Sequence, residues 1–145
     1  MTLGKEKIIP ILAMIVLFIG IISTIYVNAN ENKEELPGVS IIINGNEYSF
    51  QKLNEIFQNI TIDTDEGKRT GLPLEKIITY SGVNCPSCNR YTFKASDPYQ
   101  QTALWKDVKT SILTYDNEYN IRVYFPNLAH TFWVYNLKEI EVNKL

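Results

Sequence analysis

The chain has 145 residues, of which 45% are hydrophobic and 21% charged, a balance typical of a folded protein and unlike that of disordered or fibrous chains. Its net charge is −2 and it contains no basic run, which excludes a nucleic-acid binder that works by electrostatic attraction. One histidine and two cysteines are too few for most metal sites that need several nitrogen or sulfur ligands.

An uncharged, apolar segment of 20 residues, from 8 to 27, begins near the N-terminus. At about 1.5 Å per residue, a helix of this length spans about 30 Å, which is the hydrocarbon thickness of a bilayer. Lys5 and Lys7 precede the segment, and acidic residues beginning with Glu31 follow it. Because positive residues stay on the cytoplasmic side, the pattern predicts a cytoplasmic N-terminus at residues 1–7 and a transmembrane helix at 8–27.

A second interpretation of the same segment is a cleaved signal peptide, since small residues around Ala29 offer a cleavage site. The apolar regions of signal peptides run about 7–15 residues, so the greater length here favours an uncleaved anchor. Either way, the rest of the chain is predicted to be extracytoplasmic. Residues 28–38 are polar and acidic and end in Pro-Gly, which is typical of a linker, and residues 39–145 form the predicted domain.

The first half of this domain begins with a predicted hairpin. Residues 39–43 are rich in β-branched side chains and are followed by Asn44-Gly45, the strongest short signal for a hairpin turn. Apolar residues on one helical face then predict a helix over Ser49–Ile60, with Ser49 as its N-cap. Alternation predicts a strand over Ile60–Thr64, and we expect a charged turn over Asp65–Gly71.

A second short helix is predicted to begin at Pro73 and to end at Gly82. Strands dominate after it, and the candidates are Tyr91–Ala95, Gln100–Leu104, Ser111–Tyr115, Ile121–Phe125 and Leu137–Val142. Two short helices with mainly antiparallel strands, preceded by one transmembrane helix, predict an α+β fold class.

Several short motifs stand in an informative order along the domain. They are Thr70-Gly71-Leu72-Pro73-Leu74, Ser81-Gly82-Val83, Tyr91 to Tyr99 with Asp97-Pro98-Tyr99 at its end, Ile121 to Pro126, and Leu137 to Val142. Together they resemble the sulfite-oxidase-like, molybdopterin-binding domain family, in a shortened form, over residues 39–142. The resemblance implies the fold of that family, and it raises molybdopterin as a cofactor.

The chain departs from that family where the family's chemistry is carried. The family binds molybdenum through a cysteine thiolate that lies before the motif at Thr70–Leu74, but the corresponding stretch, Ile60–Arg69, has no cysteine. Cys85 and Cys88 lie on the other side of the motif, and Pro98 replaces a glycine, which fixes φ at about −65° and removes an N–H. We therefore expect the fold without the metal.

The Cys85-Pro86-Ser87-Cys88 motif admits four interpretations. A structural zinc site needs about four nitrogen or sulfur ligands, and the chain has two cysteines and one histidine. A thioredoxin-like redox pair places its first cysteine at a helix N-terminus, whereas a strand is predicted to follow here. Free buried thiols are the third interpretation. In an oxidising compartment we expect instead a disulfide between Cys85 and Cys88, which stabilises little because its loop is short.

No residue is predicted to be catalytic, because His130 is the only histidine and has no identifiable partner. His130 is either a ligand contact at a pocket rim or a turn histidine beside an aromatic core, and the second interpretation is favoured. The many aromatic residues between 115 and 135 form either a binding platform or, more simply, the core and its cross-strand pairs.

Four basic residues are candidates for holding an anion such as a pterin phosphate. Arg69 and Arg122 are the cofactor-binding candidates, together with His130, and Lys68 and Arg90 accompany them. Ordinary solvated charge is the alternative, because the sequence does not show whether these side chains converge.

The sequence supports three functional hypotheses. The first is a non-catalytic binding or scaffolding module, held to the membrane by residues 8–27, without a cofactor and with a membrane or extracytoplasmic protein as a partner. The second is a molybdopterin-dependent oxidoreductase domain or subunit. The third is a thiol–disulfide redox protein that uses Cys85 and Cys88. The absent metal ligand favours the first hypothesis.

Overall fold

The computed structural model describes residues 13–17, 38–116, 118 and 120–145 of the chain. Contacts divide the chain into two units, Met1–Glu35 and Leu36–Leu145. In the first unit, residues 13–17 are helical and their side chains are exposed. Most of the predicted membrane span, residues 8–27, lies outside the described residues, and among the described helices none is long and apolar enough to cross a bilayer.

The second unit combines strands with short helices. Its strands are β1 (Ser40–Ile43), β2 (Asn46–Ser49), β3 (Ile60–Thr64), β4 (Gly67–Pro73), β5 (Asn89–Ala95), β6 (Gln100–Leu104), β7 (Ile112–Tyr115), β8 (Ile121–Tyr124) and β9 (Leu137–Lys144). Its helices are α1 (Phe50–Ile56), α2 (Leu74–Tyr80) and α3 (Trp105–Val108), with 3₁₀ turns at Pro86–Cys88 and His130–Phe132. The structure therefore confirms the predicted α+β class.

The strands form two sheets. One has five strands in the order β2-β1-β9-β5-β6, and the other has four in the order β3-β4-β7-β8. Neighbouring strands are antiparallel, as predicted, except that β1 and β9 pair in parallel, with Ile42 beside Glu139 and Ile43 beside Ile140. This pair was not predicted, because it joins the first strand of the domain to its last.

One apolar core takes side chains from both sheets and from the helices. In β1, Ile41 and Ile43 are buried while Ile42 between them is exposed, because successive side chains of a strand point to opposite faces. Phe93 of β5 meets Phe125, which follows β8, edge to face at 5.1 Å between ring centroids. The two sheets therefore share one interior.

Most element boundaries agree with the patterns in the sequence. The strands Ile60–Thr64 and Gln100–Leu104 have the predicted bounds. The Asn44-Gly45 turn has φ values of 50° and 80°, as a two-residue hairpin turn requires. The first helix begins after Ser49 as predicted but ends at Ile56 rather than Ile60, because Ile60 already pairs with Gly71 as a strand. The four-residue helix α3 was not predicted.

The predicted charged turn over Asp65–Gly71 is wrong. Only Asp65 and Glu66 lie in the turn, and Gly67, with φ of 105°, begins strand β4. The many charged side chains of this segment hid its alternating strand pattern. Lys68 pairs across the hairpin with Asp63, and Thr70 pairs with Thr61. The polar residues therefore form a two-stranded hairpin.

Gly71 is required because two strands approach closely there. A Cβ atom at this position would lie 2.6 Å from the carbonyl oxygen of Leu113 in β7 and 2.5 Å from Cγ2 of Thr114. The Leu113 oxygen belongs to the backbone of a paired strand and cannot turn aside as a side chain would. Hence only glycine allows β4 to pass β7 at this distance.

We expect Gly71→Ala to lower the free energy of unfolding by about 3 kcal/mol, the upper part of the range for overpacked sites. Gly45→Ala is the control, because a Cβ there meets nothing within 4 Å and adds only the strain of a positive φ. That strain costs about 1 kcal/mol. Urea denaturation of both variants measures the difference, and a larger loss at Gly45 than at Gly71 would contradict the close crossing.

Candidate functional site

Strands β3 and β4 extend as a two-stranded hairpin beyond the rest of their sheet. β3 is an edge strand that pairs only with β4, and β4 pairs with β7 only through Leu72 and Pro73. We call residues 60–71 the hairpin arm. Its two strands are also linked by a hydrogen bond of 2.8 Å between the hydroxyls of Thr61 and Thr70. The arm carries Arg69, one of the predicted anion contacts.

A second segment brings aromatic residues to the same place. After the 3₁₀ turn at His130–Phe132, the chain runs back along β8, and the N–H of Val123 donates to the carbonyl of Val134 at 2.9 Å. This pairing sets Tyr124 beside Trp133, with 4.8 Å between ring centroids, and within 6.5 Å of Tyr135. Tyr124 meets each of the other two rings edge to face.

The predicted basic residues converge on these rings. The guanidinium of Arg69 lies over the ring of Tyr124 at 5.5 Å, and that of Arg122 lies over Tyr135 at 4.9 Å. The ring centroids of His130 and Trp133 are 6.3 Å apart. We define the arginine–aromatic cluster as Arg69, Arg122, His130, Tyr124, Trp133 and Tyr135. The three candidates that the sequence could not connect therefore surround one aromatic group.

Arg122 is held firmly by a carboxylate. Its Nη2 donates a hydrogen bond to Oδ2 of Asp116, whose Oδ1 accepts the N–H groups of Glu118 and Asn120 at 3.0 Å each. Burial opposes ionisation of Asp116, but these backbone hydrogen bonds and Arg122 together lower its pKa. Burial likewise opposes the charge of Arg122, yet contacts with Tyr124 and Asp116 raise its pKa. The pair is therefore fully ionised.

Arg69 and His130 have looser counter-ions. Arg69 lies 3.7 Å from Glu66, and His130 Nδ1 lies 3.8 Å from Oδ2 of Asp65, with all four side chains between 38% and 58% exposed. Such exposed pairs contribute little to stability. The Nε atoms of Arg69 and Arg122 are both buried and have no hydrogen-bond partner among the described residues.

The cluster borders a surface cavity of about 300 Å³. Of the cluster, His130, Trp133 and Tyr135 line it, together with Asp97 and Tyr99, whereas Arg69, Arg122 and Tyr124 do not. This volume is at the lower end of the range for ligand pockets, so the cavity suits a small molecule. Burial raises the pKa of the Tyr135 phenol, which therefore stays neutral at physiological pH and can donate a hydrogen bond.

The turn at Asp97-Pro98-Tyr99 holds its shape without a glycine. The carboxylate of Asp97 accepts the N–H of Tyr99 at 2.9 Å, and the carbonyl of Tyr99 accepts the N–H of Ala95 at 3.0 Å. The Tyr99 hydroxyl donates to the carbonyl of Thr131, which ties this turn to the segment that carries His130. The turn that contains Pro98 thus forms an ordered wall of the cavity.

The cysteines lie at the opposite end of the domain. Cys85 and Cys88 have sulfurs at disulfide distance and Cα atoms 5.3 Å apart. The N–H of Leu145 donates to the carbonyl of Cys88 at one end of β9, whereas Leu137, at the other end, pairs with Ala95 next to the cavity. With about 3.3 Å per residue, the length of β9 separates the two places by about 20 Å.

A molybdenum centre held by a cysteine thiolate does not fit the cluster, because both cysteines of the chain are in this remote pair. A pterin ring and its phosphate do fit the chemistry of tyrosine rings and guanidinium groups. Of the other basic candidates, Arg90 lies at the cysteine end of β5, and Lys68 is exposed on the arm. Neither belongs to the cluster.

Among the described residues, the surroundings of His130 hold no nucleophile that its imidazole could activate. His130 is exposed, and among the described residues no hydroxyl or thiol is hydrogen-bonded to its imidazole, as a nucleophile activated by that base would be. In the same part of the chain, no group of three or more His, Cys, Asp or Glu side chains could hold a metal ion. His130 lies in a 3₁₀ turn beside Trp133 and also lines the cavity, so its position agrees with both interpretations.

The aromatic members of the cluster were interpreted chiefly as core residues, with a binding platform as the alternative, and the sequence carries a signal for their grouping. Arg122 and Tyr124 are two residues apart in a strand, and so are Trp133 and Tyr135 in an extended segment. Residues two apart in extended backbone point to the same face, so this spacing places the members of each pair on one side. The meeting of the two pairs depends on the pairing of Val123 with Val134, which has no signature in the sequence.

No protein-family model, no curated protein and no solved structure matches this chain. The resemblance to the sulfite-oxidase-like family therefore stays a prediction from the motifs.

The turn that carries the cysteines has other support than a covalent bond. The side-chain amide of Asn89, which is buried, donates to the carbonyls of Asn84 and Cys85 at 3.1 and 2.9 Å. The Tyr91 hydroxyl donates to the carbonyl of Pro86 at 2.9 Å, and burial raises the pKa of this phenol to about 12. The turn is thus fixed by three side-chain hydrogen bonds.

We predict that Cys85 and Cys88 are joined in the isolated protein and that Cys85→Ser with Cys88→Ser lowers the free energy of unfolding by less than about 2 kcal/mol, because the closed loop is short. Mass spectrometry of unreduced protein checks the bond, and urea denaturation checks the stability. As a control, Asn89→Ala in the unaltered disulfide background removes two hydrogen bonds and should cost as much or more. Two thiols that alkylate readily in fresh, unreduced protein would contradict the prediction.

Proposed function

We propose that the chain is a membrane-anchored, extracytoplasmic binding module with a sulfite-oxidase-like fold, which binds a small, ring-containing anion and does not catalyse a reaction. Residues 8–27 would hold it in the membrane, with residues 1–7 in the cytoplasm. The observation that carries the proposal is the convergence of Arg69, Arg122 and His130 on three aromatic rings beside a cavity.

The cluster offers the two kinds of contact that such a ligand needs. Guanidinium groups bind carboxylates and phosphates through parallel hydrogen bonds, and stacking on a ring fixes their direction in advance. The cavity adds the partly exposed rings of Tyr135 and Tyr99. Because the arginines are held by the rings, less side-chain freedom is lost when an anion binds.

The order of elements supports the proposed fold. A hairpin and a helix come first, the motif at Thr70–Leu74 leads into a short helix, and strands complete the domain. This is the order in which the motifs of the sulfite-oxidase-like family follow one another. The missing thiolate near the cluster supports a binding role over the redox chemistry of that family.

A molybdopterin-dependent oxidoreductase subunit is the second candidate, because the tyrosine rings and arginines suit a pterin and its phosphate. The two candidates differ in metal content. Near-stoichiometric molybdenum in full-length protein, purified from a host that makes the cofactor, would establish the second candidate. Pterin without molybdenum would support the binding module and identify its ligand.

Trp133 provides a direct test of ligand binding. The chain has two tryptophans, so Trp105→Phe leaves Trp133 as the only one. We expect benzoate and phenyl phosphate, which combine a ring with an anion, to change the fluorescence of Trp133 in a saturable way in full-length protein held in an uncharged detergent. The change should weaken as salt is added, because the cluster is partly exposed.

Benzamide is the matched control, since it keeps the ring and the size of benzoate but carries no charge. Binding of benzamide as strong as that of benzoate would contradict recognition of an anion. The absence of a saturable change with all three probes would contradict the proposed function.

The proposed membrane arrangement has its own test. Protease added to sealed, right-side-out vesicles should digest residues 38–145 and leave the N-terminus protected, because the positive residues Lys5 and Lys7 stay inside. Epitope tags at the two ends of the chain report each side separately, and vesicles opened with detergent serve as the control. Protection of the C-terminal tag in intact vesicles would contradict the arrangement.

A further inference from the structure

The two arginines of the cluster differ in how many of their donors are already used. The guanidinium of Arg122 donates to Asp116, and that carboxylate is fixed in turn by the N–H groups of Glu118 and Asn120. An incoming anion would have to compete with a carboxylate that cannot move away without losing these hydrogen bonds. Arg122 is therefore committed to the protein and positions the ring of Tyr135.

The guanidinium of Arg69 is open by comparison. Its nearest carboxylate, that of Glu66, is 3.7 Å away, beyond hydrogen-bond distance. No hydrogen bond within the described part of the chain uses its five N–H donors, and its Nε is buried. The buried ring of Tyr124 nevertheless holds it in place from one side. Arg69 is thus positioned without being satisfied.

We propose that Arg69 contacts the anionic group of the ligand, a carboxylate or a phosphate monoester, and that Glu66 is the counter-ion which this group displaces. The inference rests on the proposed function and adds to it the residue that binds the charged group of the ligand. Planar carboxylates and phosphates accept two parallel hydrogen bonds from a guanidinium, which a lysine ammonium cannot offer.

The position of Glu66 makes the displacement easy. It lies three residues before Arg69, in the two-residue turn at the tip of the hairpin arm, and its side chain is 47% exposed. It can therefore swing into solvent without disturbing the core. While it stays near Arg69 it repels other anions, so it lowers the affinity of the site and excludes weak ligands.

The experiment compares three variants of the full-length Trp105→Phe protein by titration with phenyl phosphate and with benzoate. Glu66→Gln should bind both probes about two- to fivefold more tightly, since an exposed ion pair of this kind is worth up to about 1 kcal/mol. Arg69→Lys keeps the charge but cannot donate two parallel hydrogen bonds, so it should bind both probes about tenfold more weakly. Comparison of the two probes shows whether phosphate or carboxylate is preferred.

Lys68→Gln is the matched control, because it removes one positive charge from the neighbouring position of β4, where the side chain points to the other face. Its affinity should change less than twofold. Thermal unfolding of each variant verifies that the domain is intact, and the conservative Arg69→Lys retains a cation above Tyr124.

The outcomes separate this inference from the proposed function. If wild-type protein binds both probes but Arg69→Lys binds them equally well, or Glu66→Gln binds more weakly, the inference is overturned and the binding function stands. If Arg122→Lys loses more affinity than Arg69→Lys, the assignment is reversed. If neither the wild type nor Glu66→Gln binds either probe, both the function and the inference are overturned.

Discussion

The arginine–aromatic cluster depends on one backbone contact, the pairing of Val123 with Val134. The two residues exchange hydrogen bonds of 2.9 and 3.4 Å, which fix the segment after the 3₁₀ turn against β8. The same segment continues into β9 of the five-stranded sheet, so this contact also links one sheet to the other. The rings of Tyr124 and Trp133 therefore meet where the two sheets are joined.

The hairpin arm supplies Arg69, the remaining part of the site, and the position of the arm depends on Gly71. Because glycine lets β4 pass close to the backbone of β7, the arm is held at its base while its tip stays free of the sheet. Arg69 lies near the tip and packs on Tyr124, which belongs to the rigid part. Arg69 is thus placed by a buried ring, while the strand that carries it is joined to the neighbouring strand β7 only at the base of the arm.

The ion pairs around the rings differ in how tightly they are held. Asp116 is bound to Arg122 and to two backbone N–H groups, and these contacts lower its pKa. The pairs of Glu66 with Arg69 and of Asp65 with His130 are longer and exposed, so solvent and salt screen them. The ion pair of Arg122 is thus the tightest of the three, and the charged groups of Arg69 and His130 are held more loosely. The cysteine pair, at the far end of β9, takes no part in this arrangement.

Local patterns in the sequence determined the α+β class, the Asn44-Gly45 turn, the strands Ile60–Thr64 and Gln100–Leu104, and the proximity of Cys85 to Cys88, because each depends on residues close together in the chain. The sequence also singled out Arg69, Arg122 and His130 as charged candidates, but it could not bring them together. Tertiary structure alone decided that, through the pairing of β4 with β7 and the return of the chain along β8. Such contacts join segments far apart in sequence, and their geometry arises from the packing of the whole core, which no local periodicity encodes.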